Sequence, residues 1–261
     1  MPEILEVESY RRHAEAVLGL PVIGVDAPDP WYLKRGLTAT ALYDAVVGRT
    51  AIVARRVGKL LLLDTDGDGP TVGIRFGMTG RLVVDGRAAI DRLEYGSSRL
   101  EPSWQRVQFR FAGERTMSVI DPRRLGGVEL EPDEAALGPD ALSLTKPKFM
   151  AAMAGAHGPI KARLMDQGRL AGLGNLLTDE ALWRARIDPA RDAAELDAGE
   201  YAALLRAIRQ TVRLLGARGG SHMGDLQPAR GRGTSCPRCG GPLERRTIGG
   251  RTTFSCPHCQ R

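Results

Sequence analysis

The four cysteines of the 261-residue chain fall close to its C-terminus, as Cys236-Pro-Arg-Cys239 and, sixteen residues later, Cys256-Pro-His-Cys259. Each C-x2-C turn presents two thiolates to one side of a tetrahedral cation, which predicts a site for one Zn2+. Four thiolates close the coordination sphere, so this zinc is expected to be structural, with His258 a solvent-facing spacer. Arg245-Arg246-Thr247 and Arg251-Thr252-Thr253-Phe254 flank Gly249-Gly250, a pattern that reads as a β-hairpin clamped at its ends by the metal. Paired cysteines in a chain with no export signal argue for metal over disulfides and for a reducing compartment. Such hairpins either bind nucleic acid or serve only as structural clips, and the cysteines alone leave both open.

At the other end, Glu3 and Glu6 follow Pro2 one helical turn apart, on one face of a predicted helix. Two such carboxylates can move protons, or they can simply complement the helix dipole. Charge gives a further lead. The chain carries a formal net charge of +6. From residue 217 onward there are eight arginines (218, 230, 232, 238, 245, 246, 251, 261) against Asp225 and Glu244, an excess equal to that of the whole chain. A basic tail favours a polyanionic partner. No apolar run reaches transmembrane length and the start lacks a signal-peptide pattern, so the expectation is a cytoplasmic protein with no membrane partner.

The elements that must position these groups change character along the chain. Apolar Ile4, Val7, Tyr10, Ala14 and Val17 predict a helix over 2–18, ended by Gly19. Short β-rich runs follow at 50–57, 60–64, 71–76, 81–85, 105–111 and 117–120, separated by Gly/Asp/Pro clusters, which points to a sandwich or barrel. Beyond Pro132 the pattern turns helical, with segments at 145–154, 159–166, 176–186 and 193–217. A Gly/Pro/Arg-rich loop then leads to the cysteines. The expected fold is α+β and multidomain: an N-terminal helix and β-sandwich over 1–131, a helical domain over 132–233 and a zinc β-hairpin over 234–261.

Several motifs in this order carry a resemblance. Pro2-Glu3-Ile4-Leu5-Glu6-Val7-Glu8 with Arg11-Arg12, Gly58-Lys59, Gly77-Met78-Thr79-Gly80 and Asp121-Pro122-Arg123-Arg124-Leu125-Gly126 span the first half. Leu164-Met165-Asp166, Gly172-Leu173-Gly174-Asn175, Asp179-Glu180-Ala181-Leu182 and Arg251-Thr252-Thr253-Phe254 continue through the second. Together they resemble the formamidopyrimidine-DNA glycosylase and endonuclease VIII family over nearly the full length. The resemblance implies a helix-two-turns-helix in the helical domain. It also implies a base-excision-repair enzyme, a monomer, acting on double-stranded DNA that holds damaged bases or abasic sites.

In that family's chemistry, removal of Met1 exposes Pro2 as a secondary amine that attacks C1′ of the damaged nucleotide and forms a Schiff base. An α-amino group titrates near ~8, so a useful fraction is unprotonated at neutral pH. The resemblance assigns proton transfer to Glu3, support of the amine and its water to Glu6, and a catalytic and phosphate-contacting role to Lys59. Asn175 would cap a helix or hold a phosphate, and Arg251 would grip the same backbone. Met78, Arg123 and Leu125 would fill the gap left by the extruded nucleotide. Read without the resemblance, Lys59 is a solvated strand lysine, Met78 and Leu125 are core residues, and Arg123 makes a surface ion pair.

The chain departs from the family pattern at Leu125, where phenylalanine is common, at Arg75 in place of histidine, at Leu5 in place of proline, and at Leu177 near a usual tyrosine. The loop over 221–235 is also short. Ring-opened purines, hydantoins and oxidised pyrimidines therefore all remain open as substrates, with an inclination towards a broad, endonuclease VIII-like range. Two other functions compete, a non-catalytic binder of damaged DNA on the same scaffold and a zinc-hairpin regulator.

Overall fold

The computed structural model describes every residue except Met1, Arg92, Tyr95 and Arg232. The expected removal of Met1 and the contribution of Arg232 to the basic tail thus lie outside the described residues. The chain divides into two compact units. One holds Pro2 and Glu6–Glu134, the other Glu3–Leu5 and Ala135–Arg261.

The first unit is built on α1 (Ile4–Ala14), most of which belongs to it, and on two antiparallel sheets. One sheet has four strands, β2 (Ala51–Val57), β3 (Leu60–Thr65), β4 (Val72–Arg75) and β9 (Gly127–Leu130), hydrogen-bonded in that order. The other runs β1-β7-β8-β5-β6, from β1 (Val22–Asp26), β5 (Arg81–Val84), β6 (Arg87–Ala88), β7 (Gln105–Phe111) and β8 (Arg115–Ile120). Val107, Phe109 and Phe111 alternate inward along β7, the signature of a strand with one face in the core. They share one apolar cluster with Leu61, Leu63, Val72 and Ile74 of the other sheet and with Val7, Tyr10 and Ala14 of α1. The result is a sandwich, each fully buried large side chain contributing about 1.5–3 kcal/mol.

Several elements of this unit carry no clear period in the sequence. The two-turn helix α2 (Ala39–Val46) buries only Leu42 and Val46, and is started by Thr38, whose hydroxyl accepts from the Ala41 N–H at 3.1 Å. Strand β1 buries Val22 and Gly24 around a bulge, and a Cβ at Gly24 would meet the Arg110 guanidinium at 2.5 Å. Strand β9 is only four residues long. The first helix is also shorter than its apolar spacing predicts, because residues Glu15–Val17 tighten into a 3-10 turn.

The second unit contains α3 (Lys146–Met153), α4 (Ile160–Met165), α5 (Asn175–Ala185) and α6 (Ala198–Arg218), then the hairpin β10 (Glu244–Ile248) and β11 (Arg251–Ser255). Helix α6 starts later than its apolar stripe predicts, since Asp197 and Glu200 form a reciprocal capping box that fixes its first turn. Gly219, at φ 104°, ends it. Ile4 and Leu5 join Phe149, Ile160, Leu164, Leu177, Leu204 and Ile208 in this unit's apolar core. Among the described residues, no helix is long and apolar enough to cross a membrane.

Candidate active site

Helix α5 follows Gly172-Leu173-Gly174, and its first backbone N–H groups have no partner within the helix. Glu3 supplies one. Its fully buried carboxylate accepts from Gly174 N at 2.8 Å, Leu176 N at 2.8 Å and Leu177 N at 3.2 Å. The two glycines make room, since a Cβ at Gly174 would sit 2.3 Å from Glu3 Cδ and one at Gly172 would sit 2.3 Å from Ile4 Cδ1. The Ile4 N–H also donates to the Gly172 carbonyl at 3.1 Å. The glycine motif is therefore a cradle for the residues after Pro2, with the positive end of the helix dipole facing a carboxylate. Asn175 is not the helix cap. Its side-chain amide instead donates to the Thr252 carbonyl at 2.9 Å, joining α5 to β11.

Two further acids of α5 hold surrounding segments, Asp179 the hairpin and Glu180 the loop before it, and the sequence assigned a role to neither. Buried Asp179 lies 2.7 Å from Nζ of the fully buried Lys161 and pairs on its other oxygen with Arg230, while the Phe254 N–H donates to it at 3.3 Å. Lys161 also donates to Thr253 Oγ1 at 2.7 Å. Burial pulls the lysine below its usual range, against the opposing pull of Asp179. Glu180 accepts from Leu226 N at 2.9 Å and pairs with Arg184 at 2.8 Å. A lysine in the apolar face of a short helix, and adjacent acids inside an apolar helix, were the sequence signals for this network. Arg251 is exposed at the hairpin tip, beside the Gly249-Gly250 turn.

The ligand atoms of Cys236, Cys239, Cys256 and Cys259 lie within 4.8 Å of one another, and Cys239 and Cys256 sulfurs are 3.5 Å apart. Zn–S bonds of about 2.3 Å in a tetrahedron place sulfurs about 3.8 Å apart, so the group fits one structural zinc. The two turns are closed by backbone bonds from Gly240 N to Cys236 O at 2.8 Å and from Gln260 N to Cys256 O at 2.9 Å. Trp183 of α5 donates its indole N–H to Cys236 Sγ at 3.4 Å and lies under the Arg238 guanidinium, 4.2 Å from the ring centroid. His258 is exposed and is not one of the four ligands.

In the first unit, buried Glu6 lies near Tyr10, whose hydroxyl is pushed well above its usual range by burial and then by the Glu6 charge. Lys59, half-buried, occupies the turn between β2 and β3. Met78 is half-buried in the turn between β4 and β5, and Arg123 and Leu125 are exposed in the loop before β9. Leu125 is 51% exposed, so it is not a core residue. Arg75 is held by Glu129, 3.0 Å away. Buried Asp121 accepts from Thr79 Oγ1 at 2.6 Å and from three backbone N–H groups of its own loop, so the loops of Met78 and Leu125 meet through it.

Three family models cover this architecture in order. The formamidopyrimidine-DNA glycosylase N-terminal domain matches residues 1–128, the H2TH domain of the same glycosylase matches 137–224, and a zinc finger found in FPG and IleRS matches 235–261. The chain belongs to the formamidopyrimidine-DNA glycosylase family. Relatives in the family include the formamidopyrimidine-DNA glycosylases of Gluconobacter oxydans, 34% identical with both chains fully covered, and of Thermus thermophilus, 35% identical over the whole of this chain and 98% of that one. Solved family structures share the fold. The Lactococcus lactis Fpg bound to DNA containing an abasic site has a TM-score of 0.82 at 25% identity, with both chains fully covered. MutM in complex with DNA containing carbocyclic 8-oxo-G has a TM-score of 0.83, also at 25% identity and full coverage.

Proposed function

We propose that this chain is a base-excision-repair DNA glycosylase with abasic-site lyase activity, acting on double-stranded DNA that carries oxidised or ring-opened bases. The observation that carries the reading is the burial of Glu3 against the α5 N-terminus, which fixes a carboxylate one residue from Pro2. In this reading residues 1–131 form the catalytic helix and sandwich domain, 132–233 the helix-two-turns-helix domain and 234–261 the zinc finger. The protein works as a monomer in the cytoplasm, without a membrane partner.

Once Met1 is cleaved, the Pro2 nitrogen attacks C1′ and the N-glycosidic bond breaks, the bonding pair leaving with the base, which takes up a proton. The sugar C1′–O4′ bond then opens as Glu3 delivers a proton to O4′, giving an iminium ion. That cation acidifies the C2′ hydrogen. Loss of this proton expels the 3′ phosphate and cuts the strand. Glu6 holds the charge state of the amine and its water, and Lys59 contributes to catalysis while contacting phosphate. Asn175 and Arg251 position the backbone without reading sequence. Met78, Arg123 and Leu125 occupy the space vacated by the extruded nucleotide, which costs a few kcal/mol to rotate out. The smaller Leu125 wedge and the short 221–235 loop favour a broad substrate range over strict recognition of one oxidised purine.

Borohydride trapping tests the reading. Protein confirmed to begin at Pro2, incubated with duplexes carrying an abasic site or a single lesion, is expected to yield a covalent protein–DNA complex. Absence of that complex with every lesion tried would overturn the enzyme assignment. Pro2→Gly is expected to slow trapping and leave DNA affinity in place.

A further inference from the structure

The geometry points to Asp121 as a positioning residue that joins two loops into a single preformed wedge, so that Met78 and Leu125 enter the base stack together. This inference rests on the repair reading above and assigns Asp121 and Thr79 a part in it.

Both oxygens of the fully buried Asp121 carboxylate are engaged. Oδ1 accepts from Thr79 Oγ1 at 2.6 Å and from Arg123 N at 3.2 Å, and Oδ2 accepts from Leu125 N and Gly126 N, each at 3.0 Å. The carboxylate thereby replaces the sheet partners that this irregular loop lacks. Arg124, in the left-handed region at φ 57°, is gripped by both oxygens of Asp29, at 2.7 and 2.6 Å. Arg106 ties the same assembly together, donating to the Asp121 carbonyl at 2.7 Å and lying 3.4 Å from Asp29. With the backbone held from inside, Arg123 and Leu125 project outward.

The Met78 turn is fastened to this loop at two points. One is the Thr79 hydroxyl. The other is steric, since a Cβ at Gly77 would lie 2.4 Å from the Leu125 carbonyl carbon and 2.6 Å from Gly126 N. Gly77 has φ 58°, so both its conformation and its contact demand glycine. On its far side the turn is closed by Gly80 N donating to Phe76 O at 2.9 Å and by Tyr10 OH donating to Gly80 O at 3.1 Å. Two free loops would each lose conformational freedom on entering DNA. A joined pair has lost it already, which leaves more of the contact energy for holding the nucleotide out of the stack.

The test compares two substrates of the processed protein. A lesion in duplex DNA requires the wedge, whereas an abasic site in single-stranded DNA has no stack to fill. Thr79→Val removes the hydroxyl that links the loops and spares the backbone bonds to Asp121. It is expected to lower excision from duplex about tenfold, the scale of one charge-assisted hydrogen bond, with single-strand cleavage changed less than about twofold. Thr79→Ser, which keeps the hydroxyl, is expected to restore duplex excision. A 2-aminopurine placed next to the lesion should brighten on binding with the wild type and with Thr79→Ser, and much less with Thr79→Val. Equal losses on both substrates, or no loss on duplex, would overturn the inference. Wild-type protein that excises from duplex but shows no such brightening would overturn it alone. Wild-type protein that cleaves neither substrate would bring down the repair reading and this inference with it.

Discussion

The two units each bury a carboxylate against backbone N–H groups, and they do so over very different chain distances. Asp121 collects its three backbone donors from residues two to five positions away, and so shapes its own loop. Glu3 collects its three from the start of α5, more than 170 residues along the chain, and so is itself placed by a distant helix. A local acceptor creates a surface. A distant one fixes the position of the acceptor, which is what the proposed role of Glu3 beside the Pro2 amine would require. The same long reach recurs in the second unit where Lys161, Asp179 and Arg230 join α4, α5 and the loop before the hairpin.

The contrast is open to breakage, and the largest effect should come from the distant acceptor. Glu3→Gln keeps the shape but turns an amide group towards the α5 donors. Single-turnover base excision is expected to fall at least about 100-fold, the scale of a lost acid–base group, with duplex affinity largely kept. A loss confined to affinity would show that Glu3 serves only as a helix cap. Next comes Asp179→Asn, which leaves Lys161 buried without its countercharge. Denaturant unfolding of the zinc-loaded protein should show a loss of about 3–5 kcal/mol. An unchanged midpoint would remove the network from the comparison.

Smaller effects sharpen it further. Arg251→Ala should leave folding intact, weaken binding of any duplex, and reduce the dependence of log affinity on log salt by about one unit, measured by fluorescence anisotropy. In the first unit, the Arg124 guanidinium holds the Asp29 carboxyl below the ordinary aspartate value of 3.8. The folded state therefore binds fewer protons there than the unfolded chain. The resulting stability is present above about pH 4 and is lost as the pH falls through the lowered value. Asp29→Asn should flatten this acid limb of the first unit's unfolding curve. An acid limb identical to that of the wild type would mean the Asp29–Arg124 pair adds nothing to the loop.

Legibility in the sequence followed chain distance. The cysteines could be read because C-x2-C is a local pattern whose geometry follows from its spacing, and the major helices because their apolar stripes are long. Strand β9 escaped because four residues are too few to show a period, and helix α2 because it buries only Leu42 and Val46. The Gly172-Leu173-Gly174-Asn175 motif was visible as a turn before a helix, yet its purpose lay in the missing Cβ atoms that admit Glu3 and Ile4. Asn175 looked like the natural cap, since its side chain favours that position in isolation; the structure gives that task to Glu3. Lys161, Asp179 and Arg230 are each unremarkable as single residues, and only the fold makes them one network. Asp121 was visible inside a motif, while its bond to Thr79 crosses 42 positions.

The span between Glu3 and its donors also has a consequence in time. Translation at roughly 5–20 residues per second separates synthesis of Glu3 from that of Leu176 by roughly 9–35 s. Throughout that interval the start of α1 has no α5 to dock against and remains within reach of processing enzymes. Burial of the residues after Pro2 then closes the interval, so the removal of Met1 that the proposed chemistry requires has this time in which to occur, before the cradle forms.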